Sequence, residues 1–296
     1  MTQPKLTIAI PTYNRASKLE KQLAWAVNAI DGRWDEVELI VSDNASPDET
    51  PAVCDRWKAL SHGALRIQRQ QSNIGLVRNV LACIEAARGE FVWVVGDDDT
   101  IFPEAFPWVL DCIQREPSAR LGYLFLNFRS TNGYDGSPIR ERILPFEDDK
   151  LAVPGTALFE ECAEIDDAGM LLISANIYST QLARDAIERW PAITTNLAFP
   201  LFLSGYAAMH AGMLVLASPA LECPYHTASH LGRWLNTLYL DIPAVYLALY
   251  REGYSSRFIR PRILSRVSYV VYALRFPVQF LKSLRIYLHA AMLRRD

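Results

Sequence analysis

The sequence FVWVVGDDD at residues 91–99 decides the fold, because it joins a predicted buried strand to three consecutive carboxylates. Its first five residues are apolar and rich in valine, a composition typical of a strand covered on both faces. Gly96 ends the strand, and Asp97, Asp98 and Asp99 follow directly. Three acidic residues after a strand often form only an exposed turn, so their meaning depends on the other strand ends of the chain.

Three earlier segments repeat the pattern of a short apolar strand followed by a polar cluster and a helix. Strands are predicted over residues 6–10, 38–42 and 65–70. The clusters that follow them are PTYNR at 11–15, SDNAS at 42–46 and NIGLVRN at 73–79. Short strands that alternate with helices predict an α/β fold, with a parallel sheet covered on both faces. Ligands bind at the carboxyl ends of such strands, so we expect the four polar clusters to meet at one edge.

The second half of the chain has weaker periodicity. Residues 131–154 are rich in Gly, Asp, Glu and Pro and are expected to form a loop or lid. Residues 197–221 carry no charged side chain over a length that could span a bilayer. The Pro and Gly residues within that stretch favour a buried helix that ends at Gly212, followed by a strand over Met213–Ala217.

The C-terminal segment, residues 255–296, is strongly basic. It holds nine of the 30 Lys and Arg residues and one of the 33 Asp and Glu residues. Two amphipathic helices are predicted there, interrupted at Pro277. An apolar face with basic neighbours favours contact with a membrane surface, and no recognition motif supports nucleic-acid binding. The alternative is a helix that packs on the rest of the protein.

The remaining composition favours a reduced, cytoplasmic protein. The five cysteines include no CxxC pair, and residues 1–5 lead straight into a predicted strand without the pattern of a signal peptide. The net charge of −3 gives no overall attraction to nucleic acid.

The four polar clusters resemble those of glycosyltransferase family 2, the large bacterial group with the GT-A fold, over residues 5–130. The segments that match are IAIPTYNR at 8–15, VSDNASPDET at 41–50, NIG with RN at 73–79, and GEF with GDDD at 89–99. The sequence is most similar to an abequosyltransferase-like subgroup, whose acidic motif also reads Gly-Asp-Asp-Asp. This resemblance implies the Rossmann-like fold of nucleotide-diphospho-sugar transferases: a mixed, mostly parallel sheet flanked by helices, here with a C-terminal helical tail. It implies a donor-binding half at 1–130, an acceptor-binding half at 131–254 and the tail at 255–296.

The same resemblance implies an enzyme that moves a hexosyl or deoxyhexosyl group from a nucleoside diphosphate sugar, with Mn²⁺ or Mg²⁺ assisting. The acceptor would be a lipid-linked glycan or polysaccharide in the synthesis of an O-antigen or capsule-like glycan, at the cytoplasmic face of the cell membrane. One alternative is a nucleotidyltransferase, although such enzymes normally need a glycine-rich basic loop after the first strand. The other is a non-catalytic module that binds a nucleotide sugar.

The resemblance assigns donor and metal residues by position. Asp98 aligns with the metal-binding aspartate, with Asp99 as a further ligand and Asp97 as a neighbour that binds metal or ribose. Asp43 is expected to bind the base and ribose. The other expected donor-binding residues are Pro11, Thr12, Tyr13, Asn14, Arg15, Asn73, Gly75 and Arg78. Arg78 is alternatively a solvated helix residue.

The general base is the weakest point of the resemblance. Much of the family has an acidic pair about a dozen residues before a glycine that corresponds to Gly212, but residues 199–202 here read FPLF. An inverting enzyme needs a base for the acceptor hydroxyl, whereas a retaining enzyme can leave that proton to the departing phosphate. The candidates are Asp166, Asp167, His226 and His230, although the aspartates also suit a helix N-terminus.

A second candidate motif lies in the same half. His230-x-x-Arg233-Trp234 resembles the Gln-x-x-Arg-Trp motif of processive relatives, and it implies contact of Arg233 and Trp234 with the acceptor or a phosphate. A plain surface loop and a zinc site at His226 and His230 are the alternatives.

Overall fold

The computed structural model describes residues 3–61, 64–225, 231–265 and 277–293, without the side chains of residues 231–233. In the first part, strands and helices alternate as the sequence predicts. These elements are β1 Leu6–Thr12, α1 Ala16–Ile30, β2 Val37–Asp43, α2 Thr50–Leu60, β3 Leu65–Arg69, α3 Leu76–Ala86, β4 Phe91–Val94, β5 Thr100–Ile101 and α4 Ala105–Arg115.

The second part begins with the longest strands and ends in helices. Its elements are β6 Leu121–Asn132, β7 Pro138–Arg140, β8 Lys150–Ala152, α5 Thr156–Asp166, β9 Asn176–Ser179, α6 Thr180–Arg189, α7 Phe199–His210, β10 Gly212–Tyr225, α8 Leu231–Asn236, α9 Ile242–Glu252, α10 Ser256–Leu264 and α11 Pro277–Met292. A 3₁₀ turn over Pro191–Thr195 precedes α7, and a π-helical turn over Thr237–Asp241 precedes α9.

The ten strands in the described residues form one sheet in the order β3-β2-β1-β4-β9-β6-β10-β5, with β7 paired to β6 and β8 to β10. β1 is parallel to both β2 and β4, and β6 is parallel to β10. β9 lies between β4 and β6 and is antiparallel to both, so the two parallel groups point the same way. The predicted mixed, mostly parallel sheet flanked by helices is confirmed.

The segment at 131–154 is not the free loop or lid that its composition predicts. It carries β7 and β8, which extend the sheet. Asn127 also anchors it: its side chain donates to the Leu144 carbonyl at 2.7 Å and accepts from the Ile143 N–H at 2.9 Å. Ile143 and Leu144 are buried, and this burial holds a segment that is otherwise rich in polar and turn-forming residues.

The uncharged stretch at 197–221 forms the buried helix α7 and the strand β10, as predicted. α7 is apolar all round because it packs between α6, α9 and the sheet. Across the described parts of the chain, no helix combines the length and the hydropathy that crossing a membrane requires.

The described helices of the C-terminal tail, α10 and α11, pack on α9 and on each other. Phe258, Ile259 and Ile263 of α10 are buried, and α11 buries Tyr287 and Ala290. The first predicted amphipathic helix, from Ile263 to Leu274, falls largely outside the described residues.

Candidate active site

The polar clusters of the first four strands lie along a common edge of the sheet. The register pairs Thr12 at the end of β1 with Asp43 at the end of β2. The Asn44 N–H donates to the Thr12 carbonyl at 3.0 Å, so the first two clusters are adjacent. The Val95 N–H donates to the Ala9 carbonyl at 2.9 Å, which aligns the acidic turn after β4 with them.

Two residues at this edge have a left-handed backbone without being glycine. Asn14 has φ of 55° and Ala45 has φ of 62°. The two turns hold each other, because the Asn14 N–H donates to Ser46 Oγ and the Ser46 N–H donates to Asp43 Oδ1, both at 2.9 Å. Such conformations are uncommon for residues other than glycine, and they persist where neighbouring contacts fix them.

Asp43 is a buried carboxylate with one oxygen that accepts no hydrogen bond from the described residues. Its side chain is 1% exposed, and Oδ1 accepts the Ser46 N–H. Oδ2 has no hydrogen-bond partner among the described residues and lies 3.5 Å from Nε of Arg69. A buried acceptor normally has a donor, so this oxygen suits the N–H or O–H of a ligand.

Asparagine side chains tie the third cluster to the second. Asn44 Nδ2 donates to Asn73 Oδ1 at 2.9 Å, and the same Asn73 oxygen accepts the Gly75 N–H. Gly75 has φ of 88°, a value that favours glycine, and α3 begins directly after it. Asn79 exchanges two hydrogen bonds with Ser42 across the sheet edge. Sequence reasoning missed Asn44 and Asn79, although both lie in the quoted clusters.

A cleft of about 340 Å³ runs between these strand ends. Its lining includes most of the expected donor-binding residues, namely Pro11, Thr12, Tyr13, Arg15, Asn73, Gly75 and Asp97. Arg78 lines a smaller cleft that also includes Gly75. Asn14 contributes its strained backbone, and Asp43 lies buried beside the cleft.

Asp97 and Asp98 converge on one cationic nitrogen. Arg15 Nη1 donates to Asp97 Oδ1 at 2.8 Å and to Asp98 Oδ2 at 2.9 Å. Lys18 Nζ is also 2.9 Å from Asp98 Oδ2, and Thr12 Oγ1 donates to Asp97 Oδ2 at 2.7 Å. Burial acts to raise the pKa of Asp98, but the Lys18 hydrogen bond and the Arg15 charge outweigh it and lower that pKa.

Asp99 faces a different partner. Its Oδ2 accepts the hydroxyl of Ser174 at 2.5 Å, and the Ser174 oxygen accepts the Gly96 N–H at 2.7 Å. Burial raises the pKa of Asp99 to about 6, Ser174 opposes this, and the charges of Asp98 and Asp97 add to it. The role of Asp99 as a metal ligand stays a prediction.

The acidic turn suits a divalent cation that a substrate helps to bind. Two carboxylate oxygens already surround the Arg15 nitrogen, the arrangement that a cation between Asp97 and Asp98 would need. Within the described residues, no group of three or more His, Cys, Asp or Glu could hold a metal. Mg²⁺ and related ions commonly take one or two protein carboxylates and complete their shell with phosphate oxygens and water. These residues therefore fit a metal that binds together with a diphosphate.

A second cleft of about 610 Å³ opens on the α1 side of the acidic turn. Lys18, Lys21, Gln22 and Trp25 line it together with the three aspartates. Gln22 is 5% exposed, and its side-chain nitrogen has no partner among the described residues. This helix face was not predicted to belong to the site, because its spacing is that of an ordinary amphipathic helix.

The two aspartates expected as catalytic bases already have protein partners. Asp166 Oδ2 pairs with Arg140 at 2.6 Å, and its Oδ1 accepts the Gly169 N–H. Asp167 Oδ2 accepts the Tyr246 hydroxyl at 2.8 Å.

His226 and His230 lie outside the described residues, and so does the side chain of Arg233. Trp234 is 43% exposed in α8. The catalytic and acceptor-binding roles of all these residues stay predictions.

Comparison with known proteins places this geometry in a family. The sequence model of Glycosyl transferase family 2 matches residues 7–161, more than half of the chain. Abequosyltransferase RfbV of Salmonella typhimurium is 34% identical over 99 residues, which cover 32% of this chain and 28% of that protein. The GalNAc(5)-diNAcBac-PP-undecaprenol beta-1,3-glucosyltransferase of Campylobacter jejuni is 32% identical over 103 residues, which cover 34% of this chain and 32% of that protein. The matched region thus spans about a third of each of these relatives.

Solved structures agree on the fold. TarS 1-349 of S. aureus in complex with UDP-GlcNAc superposes with a TM-score of 0.69 at 16% identity, over 97% of this chain and 81% of that one. The mannosyltransferase PcManGT from Pyrobaculum calidifontis, in complex with GDP-Man and Mn²⁺, superposes with a TM-score of 0.58 at 17% identity, over 100% of this chain and 77% of that one. Identities this low show the fold alone. With the family match, the chain belongs to glycosyl transferase family 2 and has the GT-A fold.

Proposed function

We propose that this protein is a glycosyltransferase that moves a sugar from a nucleoside diphosphate sugar to an acceptor hydroxyl. The observation that carries the proposal is the convergence of Asp97 and Asp98 on Arg15 at the edge of a cleft. Beside this cleft, the buried Asp43 keeps one carboxylate oxygen that accepts no hydrogen bond from the described residues. The family membership and the nucleotide sugars bound by TarS and PcManGT support the same donor class.

Different residues of the site would bind the base or ribose, the diphosphate and the metal of the donor. Asp43 Oδ2 accepts an N–H of the base or a ribose hydroxyl, while Asn73 and Gly75 hold the start of α3 against the same cleft. Arg15 and Lys18 lie where the diphosphate would sit and can exchange their carboxylate partners for phosphate oxygens. A divalent cation, Mn²⁺ or Mg²⁺, would be held by Asp97 and Asp98 and would neutralise charge on the leaving diphosphate.

For the acceptor we propose a lipid-linked glycan or polysaccharide of the cell surface, and for the transferred group a hexose or deoxyhexose. RfbV is an abequosyltransferase, and the name of the Campylobacter relative specifies an undecaprenol-linked acceptor. In this proposal residues 1–130 bind the donor, residues 131–254 bind the acceptor, and the tail from 255 brings the enzyme to the cytoplasmic face of the membrane.

The exposed face of α11 supports the membrane contact. Its apolar residues recur at helical spacing and are strongly exposed: Val278 62%, Leu281 62%, Leu284 38%, Leu288 56% and Met292 76%. Lys282 and Arg285 are exposed beside this stripe. An apolar stripe with basic neighbours suits an interface of anionic lipids.

Thermal-shift measurements with a panel of UDP-, GDP-, CDP- and dTDP-sugars test the proposal. With Mn²⁺ present, we expect one nucleotide class to raise the Tm in proportion to the logarithm of its concentration above Kd, and EDTA to reduce the shift. No shift with any sugar nucleotide would contradict the proposed function. Stabilisation by a nucleoside triphosphate and a sugar phosphate instead would favour a nucleotidyltransferase.

A further inference from the structure

The amino end of α7 is the position at which the family resemblance expects an acidic residue, and this chain has none there. Phe199, Pro200 and Leu201 begin the helix and are buried in the core. An inverting transfer still requires a group that accepts the proton of the acceptor hydroxyl. A carboxylate from elsewhere in the sequence could supply that group only if the fold brings it to this helix end.

Asp241 lies at the amino end of α7, although 45 residues separate it from Asn196. Asn196 Nδ2 donates to the Asp241 carbonyl at 3.0 Å, and a backbone hydrogen bond from Leu197 reaches the Asp241 carboxylate. The Asn196 side chain also accepts the Ala198 N–H at 2.8 Å. Asn196 thus fixes both the start of α7 and the turn that presents Asp241.

The packing of α9 on α7 maintains this juxtaposition. Asp241 immediately precedes α9, and near the other end the Tyr254 hydroxyl donates to the Gly205 carbonyl of α7 at 2.8 Å. A side chain at Gly205 would collide with Leu249 of α9, so the two helices lie in close contact. Asn196 meets Asp241 just before the two helices begin and Gly205 meets Leu249 further along, so the helices run in the same direction. Asp241 therefore lies near both amino ends, which favour negative charge.

This helix end borders the donor cleft. Leu197 and Thr194 line a small cleft of about 280 Å³ together with Gly75 and Arg78 at the start of α3. Gly75 and Leu76 also line the larger cleft that holds Thr12, Arg15 and Asp97. The two clefts therefore share residues at the start of α3, and the Asp241 carboxylate accepts the N–H of Leu197, a residue that lines the smaller cleft.

Asp241 is chemically suited to accept a proton. No described Lys, Arg or His forms an ion pair with it, in contrast to Asp166 with Arg140. Burial raises the pKa of Asp241 to about 6, with the Leu197 backbone hydrogen bond opposing the rise. A carboxylate of this strength is ionised at neutral pH and is a better base than an exposed aspartate.

We propose that Asp241 is the general base of an inverting transfer, which rests on the proposed glycosyltransferase function. In this step the acceptor O–H loses its proton to the Asp241 carboxylate, and the oxygen forms a bond to the anomeric carbon. The bond from that carbon to the phosphate oxygen breaks, and its electron pair leaves with the nucleoside diphosphate. Asp241, in the turn before α9, thus supplies the carboxylate that the amino end of α7 lacks.

The test is Asp241→Asn in the full chain, measured as release of nucleoside diphosphate from the donor that stabilises the protein, with Mn²⁺ and with water as acceptor. Water must also lose a proton, so we expect the rate to fall by about 10²–10⁴-fold while donor Kd stays within about twofold. Azide carries no proton at neutral pH, so it should restore release in the variant and yield a glycosyl azide of inverted anomeric configuration. Asp241→Glu keeps the carboxylate and should retain at least about a tenth of the wild-type rate.

Asp185→Asn is the matched control, because the partly exposed Asp185 side chain accepts a hydrogen bond from Gln181 of the same helix, α6, and the change should be tolerated. Asp241→Asn at a rate within about threefold of wild type would overturn the assignment. A slow variant that azide does not restore would also overturn it, because the side chain would then be structural. A wild-type chain that binds no sugar nucleotide would instead contradict the proposed function itself.

Discussion

The Nη1 atom of Arg15 lies 2.8 Å from the Oδ1 atom of Asp97, and this contact ties the end of β1 to the acidic turn after β4. The same nitrogen reaches Asp98 at 2.9 Å. Because Lys18 also pairs with Asp98, the protein's own cations surround the carboxylates that a metal would use. A metal ion must therefore displace Arg15 and Lys18 from these carboxylates. Once displaced, the two basic side chains can bind the diphosphate.

This competition predicts opposite effects for two substitutions on Mn²⁺ binding. Asp98→Asn should weaken Mn²⁺ binding in the presence of nucleoside diphosphate by at least about tenfold, roughly 1.4 kcal/mol, because it removes a ligand charge. Lys18→Met should tighten binding of Mn²⁺ alone by about two- to fivefold, since a partly exposed ion pair contributes up to ~1 kcal/mol. Electron paramagnetic resonance of free Mn²⁺ measures both. Equal affinities in wild type and Asp98→Asn would remove Asp98 from the metal site.

Asp43→Ala should weaken binding of the nucleoside diphosphate by about 1.5–3 kcal/mol, the range for a hydrogen bond to a charged group. The rate with saturating donor should change less, because β1 separates Asp43 at the end of β2 from the acidic turn after β4. Calorimetric titration measures the change, and Asp31→Ala, an exposed position after α1, is the control. An unchanged Kd for Asp43→Ala would place the nucleotide elsewhere.

The exposed stripe of α11 predicts binding to anionic membranes. The double variant Leu281→Gln/Leu288→Gln should lower binding to vesicles of phosphatidylglycerol and phosphatidylcholine by at least about tenfold, since each leucine buried in lipid contributes about 1.5–3 kcal/mol. Salt should weaken wild-type binding steeply because Lys282 and Arg285 flank the stripe. Leu60→Gln, at an exposed leucine that ends α2, should have no effect. Failure of the intact protein to bind these vesicles at low salt would make the tail purely structural.

Asp241 also predicts a pH-dependent change in stability that does not require activity. Its pKa is raised to about 6 from 3.8, so between these values the unfolded chain ionises before the folded protein does. The folded state therefore loses stability as pH rises through this window, and the loss is complete above about pH 6. Asn cannot ionise, so Asp241→Asn should be more stable than wild type at pH 8 by about 1 kcal/mol after allowance for screening, or about 2–4 °C in Tm.

Scanning calorimetry at pH 8 and at pH 4.5 tests this sign. The gain of the variant should shrink at the lower pH, where the wild-type carboxyl is protonated in the folded state. A variant that is less stable than wild type at pH 8 would show that the ionised carboxylate is held by stabilising contacts, and the proposed environment of Asp241 would be wrong.

The donor-binding half of the site could be predicted from the sequence because its residues directly follow the strands that position them. Each polar cluster directly follows its strand, so the parallel sheet alone brings Thr12, Asp43 and Asp97 to one edge. The rest of the site depends on contacts between residues far apart in the chain, which the spacing of residues in the sequence does not predict. β9 inserts antiparallel between β4 and β6, and Asp241 meets Asn196 only through the packing of α9 on α7.

The prediction that residues 131–154 form a loop or lid was wrong for a related reason: contacts with residues outside the segment order it. Gly, Pro and acidic residues there predict a loop, but the buried Asn127 accepts and donates hydrogen bonds that hold it to the sheet. Together with the pairing of β7 and β8 and the burial of Ile143 and Leu144, this side chain orders the segment, and its partners within the segment lie 16 and 17 residues away along the chain.

Turnover of the donor tests the central claim most directly. The protein is incubated with Mn²⁺ and the sugar nucleotide that stabilises it, with and without a lipid extract that contains undecaprenyl diphosphate-linked glycans, and released nucleoside diphosphate and transferred sugar are measured. We predict release that the extract accelerates, a matching amount of glycosylated lipid, and a loss of at least about 10²-fold, ~2.7 kcal/mol in the barrier, in Asp98→Asn. A wild-type protein that binds the donor but leaves it intact under both conditions would contradict the account, because the chain would then be a binding module and not a transferase.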